Sequence, residues 1–452
     1  MPTSAASPLP NPSWTKQAAE LYATAAAPVH SPIEAVQGAA SPLRSIAAAD
    51  SQSFLDIMAR PSSSFNCITL TLLILPAIVL TVYLLTSFPH VPESLVVHPS
   101  LSSLVAPNAH GNDDDIARKV KAIYPEDFWM MDNGVKAQAG YAVLPQGRTR
   151  YWIIGPEDGK KVVLIHGLSI PSIIWKDVAP ELAQKGYRVL LYDLYGRGYS
   201  DAPQVTYGTS LYVTQLALLL QYVGWEKTNV VGISMGGAIA ASFCVQFPHL
   251  VTGKVALFAA AGILEAEDMS RTSRFLSSPL MQAVTATYPF RVYLKRLANT
   301  SMPASGRDDS FSELVRIQSA HLPGYNSALA SSIRDGPIRN LAPVYAQLGR
   351  VTKKIFKEFG TNEGELLLVW GTRDRVVPYH YAARVLALLG GSPASMSTYS
   401  SPNPDVHHSS DASTLTNKEH VRLVTIDGAG HDLTASHPTL IVQLLLEFFA
   451  HV

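Results

Sequence analysis

The sequence predicts an α/β protein with a mostly parallel central sheet and helices on both faces. From about residue 120 onward, short apolar stretches alternate with segments whose apolar residues recur at helical spacing. The short stretches are apolar at nearly every position, as expected for strands buried on both faces. The chain has 452 residues, more than a single core usually accommodates, so we expect one large domain with appendages.

The predicted sheet starts with an antiparallel hairpin. The stretches GYAVLP at 140–145 and RTRYWIIG at 148–155 are separated by a Gly-bearing turn. Six continuous apolar strands follow, at 162–167, 187–193, 229–234, 254–260, 365–371 and 421–427. Helices are predicted between and after them, for example at 210–225 and 438–450.

Two segments interrupt the alternation of strands and helices. Residues 262–345 are mostly helical in pattern and mixed in polarity, which predicts a cap or lid over the sheet. Residues 391–418 are rich in Ser, Pro and Asn, and we interpret them as a low-complexity insertion without regular structure.

The N-terminal part differs in composition from the rest. Residues 1–66 are rich in Ala, Ser and Pro, which predicts a disordered tail, because such a segment buries too little apolar surface to offset its ordering entropy. A transit peptide is the alternative. Acidic residues such as Glu20 and Glu34 are unusual in transit peptides and disfavour it.

A single transmembrane helix is predicted at 67–88, where the sequence reads CITLTLLILPAIVLTVYLLTSF. At about 1.5 Å per residue this run reaches ~33 Å, enough to cross a hydrocarbon core of ~30 Å. A buried core helix is the alternative, although a soluble domain seldom contains so long a stretch without charge. Residues 89–120 are then a polar linker to the α/β domain at 121–452.

The charged flanks of this span predict its orientation. Arg60 precedes it, whereas Glu93 and the acidic residues at 113–115 follow it, which favours a cytoplasmic N-terminus. The α/β domain is then expected on the lumenal or external side. A glycosylation sequon at 299–301 is compatible with this placement.

Composition argues against several classes of function. The formal net charge is zero, so no overall field favours nucleic acid, and we expect no nucleic-acid partner. Two cysteines, Cys67 and Cys244, do not make a disulfide framework. The paired histidines His407 and His408 lack the spacing of metal ligands, so neither a metal nor a cofactor is expected.

The clearest local motif surrounds Ser234. The sequence Gly232-Ile233-Ser234-Met235-Gly236 follows a predicted strand and precedes a predicted helix. A tight turn between strand and helix exposes a serine hydroxyl, and small neighbours allow the two elements to approach closely. An ordinary turn serine is the alternative, which this context disfavours.

A serine nucleophile needs a base, and the base needs an acid that orients it. His431 lies in a Gly-rich loop after the last predicted strand, and Asp374 lies just after the preceding strand. Asp427 and Asp432 are alternatives for the acid. Asp432 is directly adjacent to His431 and would reach its Nδ1 atom poorly.

Two backbone N–H groups are predicted to stabilise the oxyanion of the tetrahedral intermediate. Met235 follows the nucleophile at a helix N-terminus and supplies the first. Leu168, in the His166-Gly167-Leu168 loop after a strand, supplies the second.

These motifs, in this order, resemble the α/β-hydrolase superfamily, in its lipase, esterase and monoacylglycerol-lipase-like branch, over about residues 120–452. The stretch Asp193-Leu194-Tyr195-Gly196-Arg197-Gly198-Tyr199-Ser200 is also similar to the family. There it is a structural turn, so the resemblance gives Asp193 no catalytic role. Residues 1–115 lie outside the resemblance and are expected to serve only as an anchor.

The expected function is hydrolysis of a carboxylic ester by a serine hydrolase with the triad Ser234, Asp374 and His431. A bilayer anchor favours a monoacylglycerol or another lipid ester as substrate, and hence a role in lipid metabolism. Acyl transfer on the same triad and a non-catalytic ligand-binding protein are alternatives. Carboxylate-nucleophile enzymes of this fold are disfavoured by the serine at 234. The oligomeric state is not predicted.

Overall fold

The computed structural model describes residues 74–81, 95–106, 114–130, 136–265, 267–268, 310–359, 364–399 and 420–450, with side chains omitted for 355–359. The chain divides into two compact units, Met1–Val91 and Pro92–Val452. In the first unit, residues 74–81 form a helix. No helix within the described ranges is long and apolar enough to span a bilayer. The rest of the predicted span at 67–88 lies outside the described residues, so the span stays a prediction.

The described part of the second unit contains eleven strands. They are β1 (Val97–His98), β2 (Ala137–Leu144), β3 (Gly147–Ile154), β4 (Lys160–Ile165), β5 (Tyr187–Tyr192), β6 (Ala202–Pro203), β7 (Thr228–Ile233), β8 (Val251–Phe258), β9 (Glu365–Gly371), β10 (Met396–Tyr399) and β11 (Val421–Ile426). The helices there are α1 (Ser102–Val105), α2 (Asp114–Ile123), α3 (Ala179–Gln184), α4 (Thr209–Tyr222), α5 (Met235–Gln246), α6 (Ser310–His321), α7 (Pro323–Asp335), α8 (Ala342–Phe359), α9 (His380–Leu388), α10 (Leu433–Ser436) and α11 (Pro438–Ala450).

Nine of these strands form one sheet in the order β10-β11-β9-β8-β7-β4-β5-β3-β2. Neighbours from β10 to β5 pair in parallel, whereas β3 and β2 join antiparallel. The hairpin of β2 and β3 confirms the predicted start of the sheet. The predicted mostly parallel sheet is thereby confirmed for the described residues.

The sheet is covered on both faces. Every residue of β7 is buried, and because successive side chains point to opposite faces, this requires packing on each side. Helix α5 contacts α4 and α8 in one group, while α3 and α11 contact each other in a second. The six predicted apolar strands correspond to β4, β5, β7, β8, β9 and β11.

The region predicted as a polar linker differs from that expectation. Residues 89–120 include β1, α1 and the start of α2, and β1 pairs antiparallel with β6. Leu101 is fully buried, and its N–H donates to the carbonyl of Gly198 at 3.0 Å. The apolar residues of this region, such as Leu101 and Leu104, are spaced among polar ones and show no strand or helix pattern in the sequence. They are nevertheless buried in the second unit. The interpretation of 1–115 as an anchor alone is therefore wrong for 95–106.

The predicted low-complexity insertion at 391–418 also begins with structure. Strand β10 pairs in parallel with β11 and extends the edge of the sheet. Ladder hydrogen bonds to an existing strand stabilise this short polar segment, which lacks an apolar pattern of its own. Residues 400–419 lie outside the described residues, together with His407 and His408.

The described residues of the predicted cap at 262–345 include helices α6, α7 and the start of α8, together with non-helical residues such as 262–265. The two ends of the cap segment are joined by backbone hydrogen bonds. Gly262 donates to the carbonyl of Ile338 at 2.9 Å, and Leu341 donates back to the carbonyl of Gly262 at 2.8 Å. Residues 269–309 lie outside the described residues.

Candidate active site

Ser234 occupies a strained turn between β7 and α5. Its backbone has φ 57° and ψ −124°, a left-handed φ that is uncommon for any residue except glycine. Such strain costs on the order of 1–3 kcal/mol and persists only where neighbours hold it. Here the Ser234 N–H donates to Phe258 at 2.8 Å, and its carbonyl accepts from Ala261 at 3.0 Å.

The flanking glycines allow this turn to form. A Cβ atom on Gly232 would overlap the carbonyl oxygen of Gly236, and a Cβ on Gly236 would overlap the carbonyl of Ile165. Strand β7, helix α5 and the end of β4 therefore approach one another more closely than larger residues permit. The motif found in the sequence has a steric reason.

Asp374 and His431 meet at the same edge of the sheet. Asp374 follows β9 and His431 follows the neighbouring strand β11, and the His431 Nδ1 lies 2.7 Å from Asp374 Oδ2. Since a carboxylate accepts hydrogen bonds, Nδ1 carries the proton and Nε2 is left as the basic nitrogen. The Asp374 side chain is 0% exposed and that of His431 is 23% exposed.

The other carboxylate oxygen of Asp374 is also bound. Its Oδ1 accepts from the N–H groups of Val376 at 2.8 Å and Val377 at 2.9 Å. These bonds fix the carboxylate so that Oδ2 faces the imidazole. Asp427, an alternative acid, instead accepts from the hydroxyl of Thr372 at 2.9 Å on the surface.

Ser234 and His431 both line a cavity of about 630 Å³. The cavity also includes Leu168 and Met235, the residues predicted to bind the oxyanion, as well as Asp432. Within the described residues, the N–H groups of Leu168 and Met235 donate to no protein acceptor, so both remain available to a ligand. The structure thus brings all five predicted site residues to one place.

His166 fixes the loop that carries Leu168. It is fully buried, and burial lowers its pKa to about 3, so it is neutral at physiological pH. Its Nε2 accepts from Leu194 at 2.9 Å, and its Nδ1 donates to the carbonyl of Gly167 at 2.9 Å. His166 therefore acts as a structural bridge between two loops at this edge.

Asp193 organises the neighbouring turn. Its carboxylate accepts from the N–H groups of Ser172 at 2.9 Å and Tyr199 at 2.8 Å and from the hydroxyl of Tyr124. Burial raises the pKa of Asp193 to about 6 despite these hydrogen bonds. Asp193 is not among the residues that line the cavity.

Sequence reasoning missed several polar residues near the cavity. Asp268 lines it from the cap, and the hydroxyl of Tyr381 donates to its Oδ2. Arg197 is fully buried and donates to the carbonyl of Leu168 at 2.8 Å. An arginine between two glycines of a recognised turn was a visible signal for Arg197, whereas the mixed polarity of the cap gave none for Asp268.

Within the described ranges, no cluster of three or more His, Cys, Asp or Glu side chains has the arrangement of a metal site. Cys244 is a buried free thiol, and burial raises its pKa.

The chain is similar to proteins of known sequence and structure. An uncharacterised protein of Mycobacterium tuberculosis is 28% identical over 240 residues, which cover 52% of this chain and 67% of the relative. The 2-hydroxy-6-oxo-2,4-heptadienoate hydrolase of Pseudomonas putida is 27% identical over 261 residues, which cover 56% of this chain and 86% of the relative. The crystal structure of a protein assigned as a lipase, from Acinetobacter baumannii, superposes with a TM-score of 0.50 at 17% identity. The superposition covers 74% of this chain and 97% of that protein, and it shows a likeness in fold alone.

The family match agrees with this architecture. A model of the α/β hydrolase fold matches residues 160–438, from the first residue of β4 to the first residue of α11. The matched range holds the strand-to-helix turn at Ser234 and the loops of Asp374 and His431. Since the match extends over more than half of its length, the chain belongs to the α/β hydrolase fold family.

Proposed function

We propose that this protein is a serine hydrolase that cleaves carboxylic esters with Ser234, His431 and Asp374. The observation that carries the proposal is the strained turn at Ser234, which lines the same cavity as a His431 bonded to a buried Asp374 at 2.7 Å. A strained serine costs free energy that an ordinary turn would avoid, and exposure of a nucleophile is a sufficient reason for it.

The first half-reaction forms an ester between enzyme and acyl group. The Nε2 of His431 removes the proton of Ser234 as Oγ attacks the acyl carbon. The tetrahedral intermediate then collapses, His431 gives its proton to the leaving alcohol, and the acyl group remains on Ser234. Asp374 stabilises the imidazolium in both steps, because its negative charge is fixed against Nδ1.

The second half-reaction returns the enzyme to its starting state. His431 removes a proton from water, and the resulting hydroxide attacks the acyl-enzyme carbonyl. Ser234 leaves with a proton from His431, and the carboxylic acid is released. The N–H groups of Met235 and Leu168 stabilise the oxyanion in each tetrahedral intermediate, where one such donor contributes roughly 3–4 kcal/mol.

The walls of the cavity favour an apolar acyl group. Apolar side chains predominate among the lining residues, with Ile170, Ile174, Leu264, Phe311, Ile333 and Ile338 as examples. Among the described residues, the charged ones that line it are Asp268, Arg375 and Asp432, so negative charge outnumbers positive in this part of the lining. This balance favours a neutral ester, such as a monoacylglycerol, over the anionic dienoate named for the Pseudomonas relative.

A membrane anchor at 67–88 would place such a cavity beside lipid substrates. The described turns at 74–81 support the proposal, since Ile74, Leu75, Ile78, Val79 and Leu80 are each 46–60% exposed. Exposed apolar side chains on one short helix are what a lipid environment would cover. We propose a single-pass protein with a cytoplasmic N-terminus and a lumenal or external catalytic domain.

Labelling with a fluorophosphonate tests the catalytic proposal, because the reagent forms a stable adduct only with an activated serine. The parent protein should be labelled, Ser234→Ala should not, and Ser103→Ala, an exposed serine outside the cavity, should match the parent. Labelling that persists in Ser234→Ala would refute Ser234 as the nucleophile. Turnover of neutral and anionic esters by the unlabelled parent protein then tests the substrate class, and added alcohol acceptors reveal acyl transfer.

Carbonate extraction of membranes tests the anchor. The parent chain should stay in the membrane pellet, whereas the double variant Leu75→Lys, Val79→Lys should shift toward the supernatant. Release of the parent by carbonate would contradict a spanning segment. Protease protection of sealed membranes tests the orientation, and digestion of the catalytic domain from the cytosolic side would contradict it.

A further inference from the structure

We infer that cap helix α7 is part of the oxyanion-binding machinery, because Arg197 and Tyr325 fix the Leu168-Ser169 loop to that helix and act as positioning residues. The inference rests on the proposed function, since it concerns how that reaction is accelerated. It assigns the cap a role beyond covering the cavity.

Arg197 makes the first link. Its guanidinium is fully buried, and its Nε donates to the carbonyl of Leu168 at 2.8 Å. Its Nη2 donates to the hydroxyl of Ser332 on α7 at 2.8 Å, so one rigid group joins the loop to the cap. Because the guanidinium is planar, fixing one side of it also fixes the other.

The remaining contacts hold this guanidinium in place. Its Nη1 donates to the carbonyl of Tyr195 at 2.9 Å and to the hydroxyl of Tyr212 at 2.5 Å. The hydroxyls of Tyr212 and Ser332 lie 2.6 Å apart, and Ser332 donates to Ala328 within α7. Every hydrogen bond of Arg197 within the described residues ends on an uncharged oxygen. Its guanidinium therefore orients the Leu168 loop and helix α7 and pairs with no carboxylate there.

Tyr325 makes the second link. It is 1% exposed, and its hydroxyl donates to the carbonyl of Ser169 at 3.0 Å. Burial raises the pKa of Tyr325, so its hydroxyl remains a donor at any working pH. Tyr325 and Ser332 are seven residues apart, which is two helical turns, and therefore lie on the same face of α7.

Helix α7 approaches the turn of Arg197 closely enough to transmit its position. A Cβ atom on Gly196 would overlap the Cβ of Ala328. The N–H of the next glycine, Gly198, donates to Gln318 on α6 at 2.8 Å. The turn that carries Arg197 is thus enclosed by both cap helices.

The same helix also lines the cavity. Ile333, directly after Ser332, is one of the residues that an acyl group would contact. A substrate seated against Ile333 therefore packs on the helix that holds the carbonyls of Leu168 and Ser169. The peptide that carries the Leu168 N–H is held on one side by the bond from His166 to the Gly167 carbonyl. On the other side it is held by the carbonyls of Leu168 and Ser169, which therefore contribute to where the Leu168 N–H points. The cap thereby aligns one of the two oxyanion donors.

Comparison of Tyr325→Phe with Tyr199→Phe in the full chain tests this inference. Both substitutions remove a buried hydroxyl that donates to a backbone carbonyl; that of Tyr199 donates to Tyr124 at 2.6 Å, away from the cavity. We expect Tyr325→Phe to lower kcat about tenfold with KM changed less than twofold, because a displaced donor affects the transition state most. Tyr199→Phe should retain the kcat of the parent.

A second readout separates positioning from loss of packing. A trifluoromethyl ketone forms a hemiketal oxyanion on Ser234, whereas a carboxylic acid product binds without one. Tyr325→Phe and Ser332→Ala should weaken the ketone about tenfold and leave the affinity for the product unchanged. Arg197→Lys keeps the charge but not the planar fork, and should be impaired at least as much as Tyr325→Phe.

The outcomes are distinguishable. If the parent shows no Ser234-dependent turnover, the proposed function fails, and this inference fails with it. If turnover depends on Ser234 but Tyr325→Phe matches the parent in kcat and in ketone affinity, only the inference is overturned. Equal losses in Tyr325→Phe and Tyr199→Phe would also overturn it, since they would reflect general packing.

Discussion

The Nδ1 atom of His431 lies 2.7 Å from Oδ2 of Asp374, and this contact joins the loops that follow two neighbouring parallel strands, β11 and β9. The carboxyl ends of parallel strands meet at one edge, so residues 57 positions apart in the chain become partners. Ser234 reaches the same edge from β7.

Asp374→Asn should lower kcat by roughly 10³–10⁴-fold with little change in KM. The amide still accepts from Val376 and Val377 through Oδ1, but its NH2 group faces His431 and favours the wrong imidazole tautomer. Steady-state kinetics on a soluble ester measure the effect. Asp427→Asn is the matched control, because Asp427 is exposed and its carboxylate binds only Thr372 among the described residues. A larger loss of kcat in Asp427→Asn than in Asp374→Asn would show that Asp427, and not Asp374, orients His431.

Gly167→Ala should reduce activity without unfolding the protein. The added Cβ atom would lie 3.3 Å from the Cβ of Ser234 and 3.8 Å from its Oγ, within the space that the reacting carbonyl needs. We expect kcat/KM to fall about 100-fold, as for small displacements of reacting groups. Gly208→Ala is the control, since its nearest neighbour is the carbonyl of Asp335 at 3.6 Å. Equal activities of the two variants would contradict the proposed position of the carbonyl.

Asp268→Asn should change the selectivity for the leaving group. Asp268 is held by Tyr381 and lies 3.6 Å from the Nε2 of His380, with its carboxylate on the cavity wall. A carboxylate accepts hydrogen bonds from the hydroxyls of a glyceryl group and repels anions. We expect kcat/KM for a monoacylglycerol to fall about fivefold relative to the methyl ester of the same acid. Glu267→Gln, one residue away and not among the cavity-lining residues, should leave this ratio unchanged.

His166 should make unfolding dependent on pH. Burial lowers its pKa in the folded protein to about 3, below the ordinary value of 6.5, so the unfolded chain binds the proton more readily. The stability contributed by the neutral ring is full above about pH 6.5 and is lost progressively as the pH falls toward 3. Between pH 7 and pH 5 the loss from this residue is about 2 kcal/mol.

Urea unfolding of the parent and His166→Gln at both pH values measures this contribution. The difference between the two proteins isolates His166 from Asp193, whose raised pKa of about 6 acts in the opposite direction. The parent should lose more stability than the variant on acidification. If the free energies of unfolding of the two proteins changed equally with pH, His166 would bind its proton equally in the folded and unfolded states, which would contradict the prediction.

Leu101→Ala should destabilise the protein even though residue 101 falls in the predicted linker. Leu101 is 0% exposed, and removal of a buried leucine costs about 2–5 kcal/mol. Denaturant unfolding measures the loss. Val143→Ala, at a position that is 75% exposed, should change the free energy of unfolding by less than about 0.5 kcal/mol. A similar small effect in Leu101→Ala would mean that 95–106 is dispensable for the domain.

The sequence alone determined the hairpin and the six apolar strands of the sheet and identified the candidate triad. Continuous apolar runs such as 365–371 predict buried strands directly, because burial on both faces leaves no polar positions. The glycines around Ser234 are required by close backbone contact, so they too are visible in the sequence. Both signals are local: each depends on a few consecutive residues.

Only the tertiary structure decided features that depend on distant partners. Strands β1 and β10 are too short and too polar to have a pattern of their own, and they exist because β6 and β11 offer hydrogen bonds. Arg197 and Tyr325 lie 128 positions apart in the sequence, and their role in holding the Leu168 loop follows only from the contact of α7 with that loop. Composition and periodicity record what one segment buries, but they do not record which neighbour it meets.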